Sequence, residues 1–330
     1  DHAPHGIALD LPRGKLLLSQ GGNTNAGARS SDFLDLPEYA LTAAILEIDL
    51  NAIVDPPYDL PTLDDDDRPG SPDENDPFGG NGGKNQAIES PDGPVRIHAT
   101  GIRNSYDVLL TSRGLYVIDN GANQGWGGLP KIDASSGRIE HVSVEGGRKS
   151  RNQLHQVREG GYYGHPNPVR ADATLRFNKT IPQSPIREAR PHEASRRYRR
   201  IEGRRLCVFP GSTNGITEYW GGLDHPPRDG ALLAASFDQA VYALDLDATG
   251  SRVLEKRVLA RELGFGPLDV VARGRDQSFP GTIWLSDHSG SRIWILDPQR
   301  LRPWTLGQAV RDAREWFWMT IAKKAAFRAR

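Results

Sequence analysis

The sequence predicts an all-β fold of the β-propeller type, and three observations support that prediction. Gly (36 residues) and Pro (24 residues) interrupt the chain often, and short runs rich in Val, Ile, Leu and Tyr lie between them, which favours many short strands. A similar unit of strands and tight turns recurs in 5–50, 104–121, 214–247 and 266–297. Arg-Gly and Asp-Gly pairs within these units are typical of the positive φ angles that tight hairpins need.

Each recurring unit is interpreted as one propeller blade, a small antiparallel sheet. Four blades are visible, and a fifth is indicated around 137–147 and 152–164. A β-sandwich is the alternative fold. Because an incomplete propeller would leave unpaired strand edges, we expect the natural chain to be longer, with one or more opening blades missing here.

The predicted domain organisation is a propeller over 1–300 followed by a tail over 301–330. Two insertions, 53–94 and 166–205, are rich in Pro with Asp and Gly or with Arg, and we expect both to be loops on one rim of the propeller. The tail alone has apolar residues at helical spacing, which are Leu306, Val310, Ala313 and Phe317. It predicts a short C-terminal helix packed on the propeller, with a membrane-surface helix as the alternative.

Composition excludes several classes of function. Lys and Arg (41) nearly balance Asp and Glu (42), so no overall positive field favours nucleic acid as a partner. No apolar run has the length of a membrane span. Cys207 is the only cysteine, which excludes an intrachain disulfide and zinc sites built from several cysteines. The phosphate-binding loop, the dinucleotide fingerprint and the metalloprotease His motif are all absent.

Three short motifs remain as candidates for chemistry: Asp1-His2, Arg103-Asn104 and the Gly-rich stretch "DNGANQGWGG" at 119–128. Together they resemble a pattern of the glucose/sorbosone dehydrogenase family, which includes the soluble glucose dehydrogenases dependent on pyrroloquinoline quinone (PQQ). In these six-bladed propellers, Asp-His opens one blade, Gly-x-Arg-Asn opens the next, and a Gly-rich turn offers carbonyls to calcium. The chain is most similar to the modules of this kind in large bacterial secreted proteins, through "LTAAILEIDL" (41–50), "YYGHPNPVRA" (162–171) and "PGTIWLSDHSG" (280–290).

The resemblance implies a PQQ-dependent sugar or aldose dehydrogenase, secreted or periplasmic, that passes electrons to an external acceptor. His2 would be the catalytic base that takes the proton of a sugar hydroxyl, since imidazole titrates near working pH. Arg103 would act in catalysis and, with Asn104, would bind the cofactor. Gly121 and Ala122 would offer backbone carbonyls to Ca²⁺, which prefers oxygen ligands.

The chain also departs from that family pattern. Gly22 stands where the family has the aspartate that orients the histidine, and Asp238 stands where it has a lysine. Gly266–Leu268 replaces expected arginines, and "NQLH" at 152–155 replaces Asp-Glu-Leu-Asn. These losses favour the alternative function, a non-catalytic propeller that binds carbohydrate or protein through an eroded dehydrogenase site.

Each motif also has a structural interpretation that involves no ligand. Asp1-His2 could be a frayed terminus, and Arg103 could hydrogen-bond backbone carbonyls to start its blade. The glycines of 119–128 could serve turn geometry alone. Four tryptophans could pack in or beside the blades rather than stack on sugars; these are Trp126, Trp220, Trp284 and Trp294.

Overall fold

The computed structural model describes residues 2–55, 57–60, 87, 89–90, 92–129, 131–132, 139–140, 149–167, 199–200, 205–222 and 227–298. The chain divides into two compact units, Asp1–Val208 and Phe209–Arg330. The predicted C-terminal helix and most of the two predicted insertions lie outside the described residues. Within the described ranges, no helix has both the length and the apolar character that a membrane crossing demands.

The first unit contains one large mixed sheet. Its first four strands are antiparallel neighbours in chain order: β1 (Pro4–Asp10), β2 (Lys15–Gln20), β3 (Ala44–Asp49) and β4 (Val95–Thr100). Two short strands extend the sheet in parallel beyond β4. These are β10 (Gly161–Tyr162) and β11 (Arg199–Arg200). Three short 3-10 helices connect this region, at Leu11–Arg13, Ser31–Phe33 and Leu50–Ala52.

A second sheet of the first unit has four strands in the order β12-β9-β6-β5. The strands are β5 (Ser105–Thr111), β6 (Gly114–Asp119), β9 (Asn152–Val157) and β12 (Arg205–Phe209), the last ending at the first residue of the second unit. A two-stranded ribbon joins β7 (Lys131–Ile132) to β8 (Ile139–Glu140). Because β9 pairs with β6, residues 152–157 extend the blade formed by β5 and β6.

The core of the first unit lies between these two sheets. Alternating residues of β2, β3, β5 and β6 point inward, and the cluster they form with neighbouring side chains is Leu17, Ile45, Ala99, Ile102, Val108, Leu115, Val117 and Val157. Full burial of one such aliphatic side chain contributes about 1.5–3 kcal/mol. This packing holds the ends of β2, β5 and β6 in place, and the candidate functional residues follow or precede those ends.

The hairpin glycines confirm the predicted turn chemistry. Gly14 between β1 and β2 has φ 63°, and Gly114 between β5 and β6 has φ 132°, conformations that Gly adopts at little cost. Asp10 supports the first turn, since its side chain accepts a hydrogen bond from the backbone N–H of Arg13 at 3.3 Å. Both turns are the Arg-Gly pairs seen in the sequence.

The second unit consists of two antiparallel sheets. One is a four-stranded meander of β13 (Thr213–Glu218), β14 (Leu232–Ser236), β15 (Ala240–Leu246) and β16 (Val253–Ala260). The other has three strands, β17 (Pro267–Ala272), β18 (Ile283–Asp287) and β19 (Arg292–Leu296). Their shared core includes Tyr219, Leu233, Val241, Leu263, Val270, Ile283 and Leu285.

The prediction of an all-β, propeller-like fold is confirmed. The four segments interpreted as blades from the sequence all form antiparallel strands. Segment 5–50 contributes β1, β2 and β3 to the six-stranded sheet, 104–121 contributes β5 and β6 to a four-stranded sheet, 214–247 contributes to the meander, and 266–297 forms the three-stranded sheet. The described helices are single 3-10 turns. Repeated tight turns and alternating apolar residues are local signals, so they were visible before any tertiary structure.

Candidate functional site

His2 lies beside the end of β2 and is held there by Gly22. Its backbone N–H donates to the Gly22 carbonyl at 3.1 Å, and its ring Nδ1 lies 2.8 Å from the same oxygen. Since a carbonyl oxygen can only accept, Nδ1 carries the hydrogen and Nε2 carries the lone pair. Burial, and then the nearby positive charge of Arg103, lower the pKa of His2 to about 3. His2 is therefore a neutral imidazole with a fixed tautomer at neutral pH.

Arg103 is buried, with 4% of its surface exposed. Its Nε donates to the Asn25 carbonyl at 2.9 Å, its Nη2 to Asn25 Oδ1 at 2.9 Å, and its Nη1 to the Asn120 carbonyl at 3.1 Å. Burial lowers the pKa of Arg103 to about 10, against the opposing influence of the Asp119 and Glu38 carboxylates. The guanidinium therefore remains charged at neutral pH and bridges the loop after β2 to the end of β6.

Asn104 forms hydrogen bonds through its backbone, whereas its side-chain oxygen has none among the described residues. Its N–H donates to Asp119 Oδ1 at 2.8 Å, and its carbonyl accepts from Asn120 N at 3.0 Å. Its side-chain Oδ1 is buried without a hydrogen-bond partner. A buried polar atom without a partner costs about 1–3 kcal/mol, so this amide is a candidate for ligand contact. Burial raises the pKa of Asp119.

Glu38 and His165 form a buried pair that the sequence interpretation missed. Glu38 Oε1 lies 2.8 Å from His165 Nε2 and accepts from the hydroxyl and the backbone N–H of Thr24 at 2.6 and 3.0 Å. Glu38 Oε2 accepts from the backbone N–H of Asn23 at 3.2 Å and from the hydroxyl of Thr42. Burial alone would raise the pKa of Glu38, but these donors outweigh it and lower the pKa to about 2.

Gly22 connects this pair to His2 and Arg103. Its N–H donates to the Arg103 carbonyl at 2.7 Å, while its own carbonyl holds His2. A Cβ placed at Gly22 would lie 3.0 Å from Glu38 Oε1 and 3.1 Å from His165 Nε2. The carboxylate that the resemblance places at position 22 is thus replaced in space by one from position 38. It contacts His165, whereas His2 is oriented by a backbone carbonyl.

The predicted calcium ligands Gly121 and Ala122 lie in the turn after β6, which is closed by protein contacts. The N–H of Gly121 donates to Asn152 Oδ1 at 3.1 Å and that of Ala122 to Ser150 Oγ at 2.6 Å. The Ala122 carbonyl accepts from Ser150 N at 3.0 Å. Among the described residues, no three His, Cys, Asp or Glu side chains are grouped as metal ligands. Gly121 and Ala122 could therefore offer Ca²⁺ only backbone oxygens, without a group of charged side chains among the described residues.

The structure brings the predicted residues together. His2, Arg103 and Asn104 meet through Gly22, and Gly121 follows Asn120, which accepts a hydrogen bond from Arg103. We call His2, Glu38, Arg103, Asn104 and His165 the polar cluster. Of these, Glu38 gave no motif signal, and His165 lies in "YYGHPNPVRA" (162–171), a motif of the resemblance to which no site role was assigned. The nearest hint of the pair was the missing carboxylate at Gly22. Asp238 and Gly266–Leu268 belong to the second unit, where Asp238 bonds Tyr242.

The polar cluster does not supply the charge that PQQ requires. PQQ, when bound, provides a quinone that accepts hydride, but it also carries three carboxylates. Arg103 is already hydrogen-bonded to three protein oxygens and faces the Glu38 and Asp119 carboxyls. His2 is neutral. A tricarboxylate placed here would meet no uncompensated positive charge from the cluster, and burying unpaired anions is costly.

Comparison with known proteins gives fold-level similarities. No protein-family model matches the chain, and no curated protein matches it. Among solved structures it is similar to a glucose dehydrogenase, with 16% identity over 84% of this chain and 59% of that one and a TM-score of 0.42. It is also similar to a Trichoderma reesei protein of carbohydrate-active enzyme family AA12, with 13% identity over 90% and 68% and a TM-score of 0.48.

A third similar structure is the PQQ domain of pyranose dehydrogenase from Coprinopsis cinerea, with 11% identity over 86% of this chain and 66% of that one and a TM-score of 0.40. The chain spans less than two thirds of the glucose dehydrogenase that it resembles. Glucose dehydrogenases and a PQQ domain are thus among its structural neighbours, as the resemblance in sequence predicted. At these identities and TM-scores, the likeness assigns neither an activity nor a cofactor to this chain.

Proposed function

We propose that the polar cluster is a carbohydrate-binding site in a dehydrogenase-like domain. The observation that carries this proposal is a pair of unused polar atoms within one buried cluster. Among the described residues, His2 Nε2 has no hydrogen-bond partner, and Asn104 Oδ1 is buried without one. Both are neutral acceptors that suit a hydroxyl group, which can donate to either.

Arg103 adds the complementary donors. Its three hydrogen bonds use one hydrogen on each nitrogen, so Nη1 and Nη2 each retain one N–H that the described residues do not engage. A sugar hydroxyl or ring oxygen could accept from them. Because the cluster offers neutral acceptors and a charge-compensated donor, it favours a neutral polyhydroxy ligand over an anionic one.

The direct test is calorimetric titration of methyl pyranosides of glucose, galactose and mannose into the protein. We expect at least one to bind, and Asn104→Ala to weaken its binding by about 10-fold, as loss of one well-placed hydrogen bond does. Gln153→Ala is the matched control, since it changes a part-buried amide on β9 outside the polar cluster. Absence of binding to any pyranoside, or equal binding by Asn104→Ala, would overturn the proposal.

The second candidate is a PQQ-dependent sugar dehydrogenase with calcium and an external electron acceptor, secreted or periplasmic, as the sequence resemblance implies. One observation favours it specifically: the hydrogen bond from His2 Nδ1 to Gly22 leaves the lone pair on Nε2, where a base would accept a hydroxyl proton. Its pKa of about 3 makes this imidazole a weaker base than the sequence predicted. It needs positive charge from outside the polar cluster. Titration of PQQ in the presence of Ca²⁺, on wild type and on Asn104→Ala, tests it, and no heat in wild type would exclude it.

A further inference from the structure

Trp126 presents a half-exposed ring next to the polar cluster. It keeps 45% of its surface exposed, and its ring packs edge-on against Phe33 with centroids 5.8 Å apart. Phe33 is itself buried and lies close to two residues of the cluster. Its ring centroid lies 5.3 Å from that of His2 and 5.7 Å from the guanidinium carbon of Arg103. One aromatic ring thus separates an exposed tryptophan from two residues of the polar cluster.

The backbone around Trp126 is held by hydrogen bonds from Ser30 and Asn25. Gly125 has φ 83° and Gly127 has φ 99°, so the chain turns sharply on both sides of the tryptophan. The Trp126 carbonyl accepts from Ser30 Oγ at 2.9 Å, and Asn25 Nδ2 donates to the Gly127 carbonyl at 2.9 Å.

Asn25 joins this turn to the polar cluster. The same Nδ2 also donates to the Asn123 carbonyl at 2.9 Å, and the Asn25 Oδ1 accepts from Asn123 N at 2.8 Å. That Oδ1 also accepts from Arg103. The buried side-chain amide of Asn25 therefore positions both the guanidinium of Arg103 and the turn that carries Trp126. A binding site needs this kind of support from neighbouring residues.

We propose that Trp126 is the stacking platform for the pyranose ring whose hydroxyls meet the polar cluster. A pyranose has apolar C–H faces and a rim of hydroxyls, so it needs a flat apolar surface beside polar groups. An indole ring supplies such a surface with little loss of side-chain entropy. The inference rests on the proposed carbohydrate function and adds its ligand class, a cyclic sugar rather than any polyol.

The experiment measures ring preference by calorimetry on the full chain. Methyl β-D-glucopyranoside is the cyclic probe, with the galactoside or mannoside in its place if one of them binds better. D-Glucitol is the open-chain polyol. We expect wild type to prefer the pyranoside by about 10-fold or more, and Trp126→Ala to lose most of that preference. Trp126→Phe should retain part of it, because a smaller ring still stacks.

Trp220→Ala is the matched control. Trp220 is similarly exposed, at 48%, but lies in the second unit and bonds Glu218, so its loss should leave both affinities within about 2-fold. Pyranoside binding that Trp126→Ala leaves unchanged would overturn the platform while preserving the proposed function. Absence of pyranoside binding in wild type would overturn both.

Discussion

Replacing Glu38 by Gln should destabilise the first unit strongly, because Glu38 is a fully buried carboxylate with donors on both oxygens. Gln keeps the shape but turns one acceptor into a donor that would face another donor. Asn23 and Thr42 donate to one oxygen of Glu38, and each buried donor left without an acceptor costs about 1–3 kcal/mol, so we expect a total cost of about 3–5 kcal/mol. For a unit of this size, that corresponds to a fall in Tm of roughly 6–20 °C.

The pH dependence of folding stability gives a second value for the contribution of Glu38. The pKa of Glu38 is lowered from 4.5 to about 2, so the folded state binds fewer protons than the unfolded state between these values. The stabilisation is present above pH 4.5 and is lost as pH falls toward 2. A shift of this size corresponds to on the order of 3 kcal/mol, which agrees with the cost expected for the substitution.

The assay is urea unfolding at pH 7 and at pH 3 for wild type, Glu38→Gln and a control, Glu47→Gln. Glu47 is also buried, with its pKa lowered to about 2, but its partners Lys15, Arg96 and His98 lie outside the polar cluster. We expect both variants to be destabilised at pH 7 and less so at pH 3, with pyranoside affinity reduced only by Glu38→Gln. Glu38→Gln unfolding within about 0.5 kcal/mol of wild type at pH 7 would refute the reasoning.

Three further predictions follow from the same region. Gly22→Asp should lower the free energy of unfolding by at least about 3 kcal/mol, since it forces a second carboxylate against Glu38. The same substitution should lower it by less in a Glu38→Ala background, and additive effects of the two substitutions in a double-mutant cycle would contradict this. Arg103→Lys should lower the free energy of unfolding in urea by about 2–3 kcal/mol, because an ammonium cannot reproduce the paired hydrogen bonds to Asn25. An unchanged free energy of unfolding would argue against a stabilising role for these bonds. Nitrogen NMR should show His2 neutral, with its hydrogen on Nδ1, down to about pH 4. Because the pKa of His2 in the folded state is lowered from 6.5, its contribution to folding stability falls as the pH drops from 6.5 toward 3. A His2 that titrates near pH 6.5 would contradict the buried geometry.

The strands and turns could be predicted from the sequence because their signals are local. The alternation of apolar residues in 104–121 and the glycine at position 114 identify β5, β6 and their turn, since a pleated strand alternates its faces and a tight turn needs positive φ. The sequence also singled out His2, Arg103 and Asn104, because each belongs to a short motif, and their roles stay predictions. In the structure, His2 and Arg103 both hydrogen-bond Gly22, and Asn104 follows Arg103 directly.

What the sequence by itself determined about this protein is its all-β class, its blades and three of its candidate residues. Only the tertiary structure decided that Glu38 and His165, 127 residues apart, form a buried pair against Gly22. In the sequence Glu38 sits in the segment "SDFLDLPEYA" (31–40), which matches no motif. Burial and pairing of such a residue depend on which distant segments pack together, and that is a property of the folded chain.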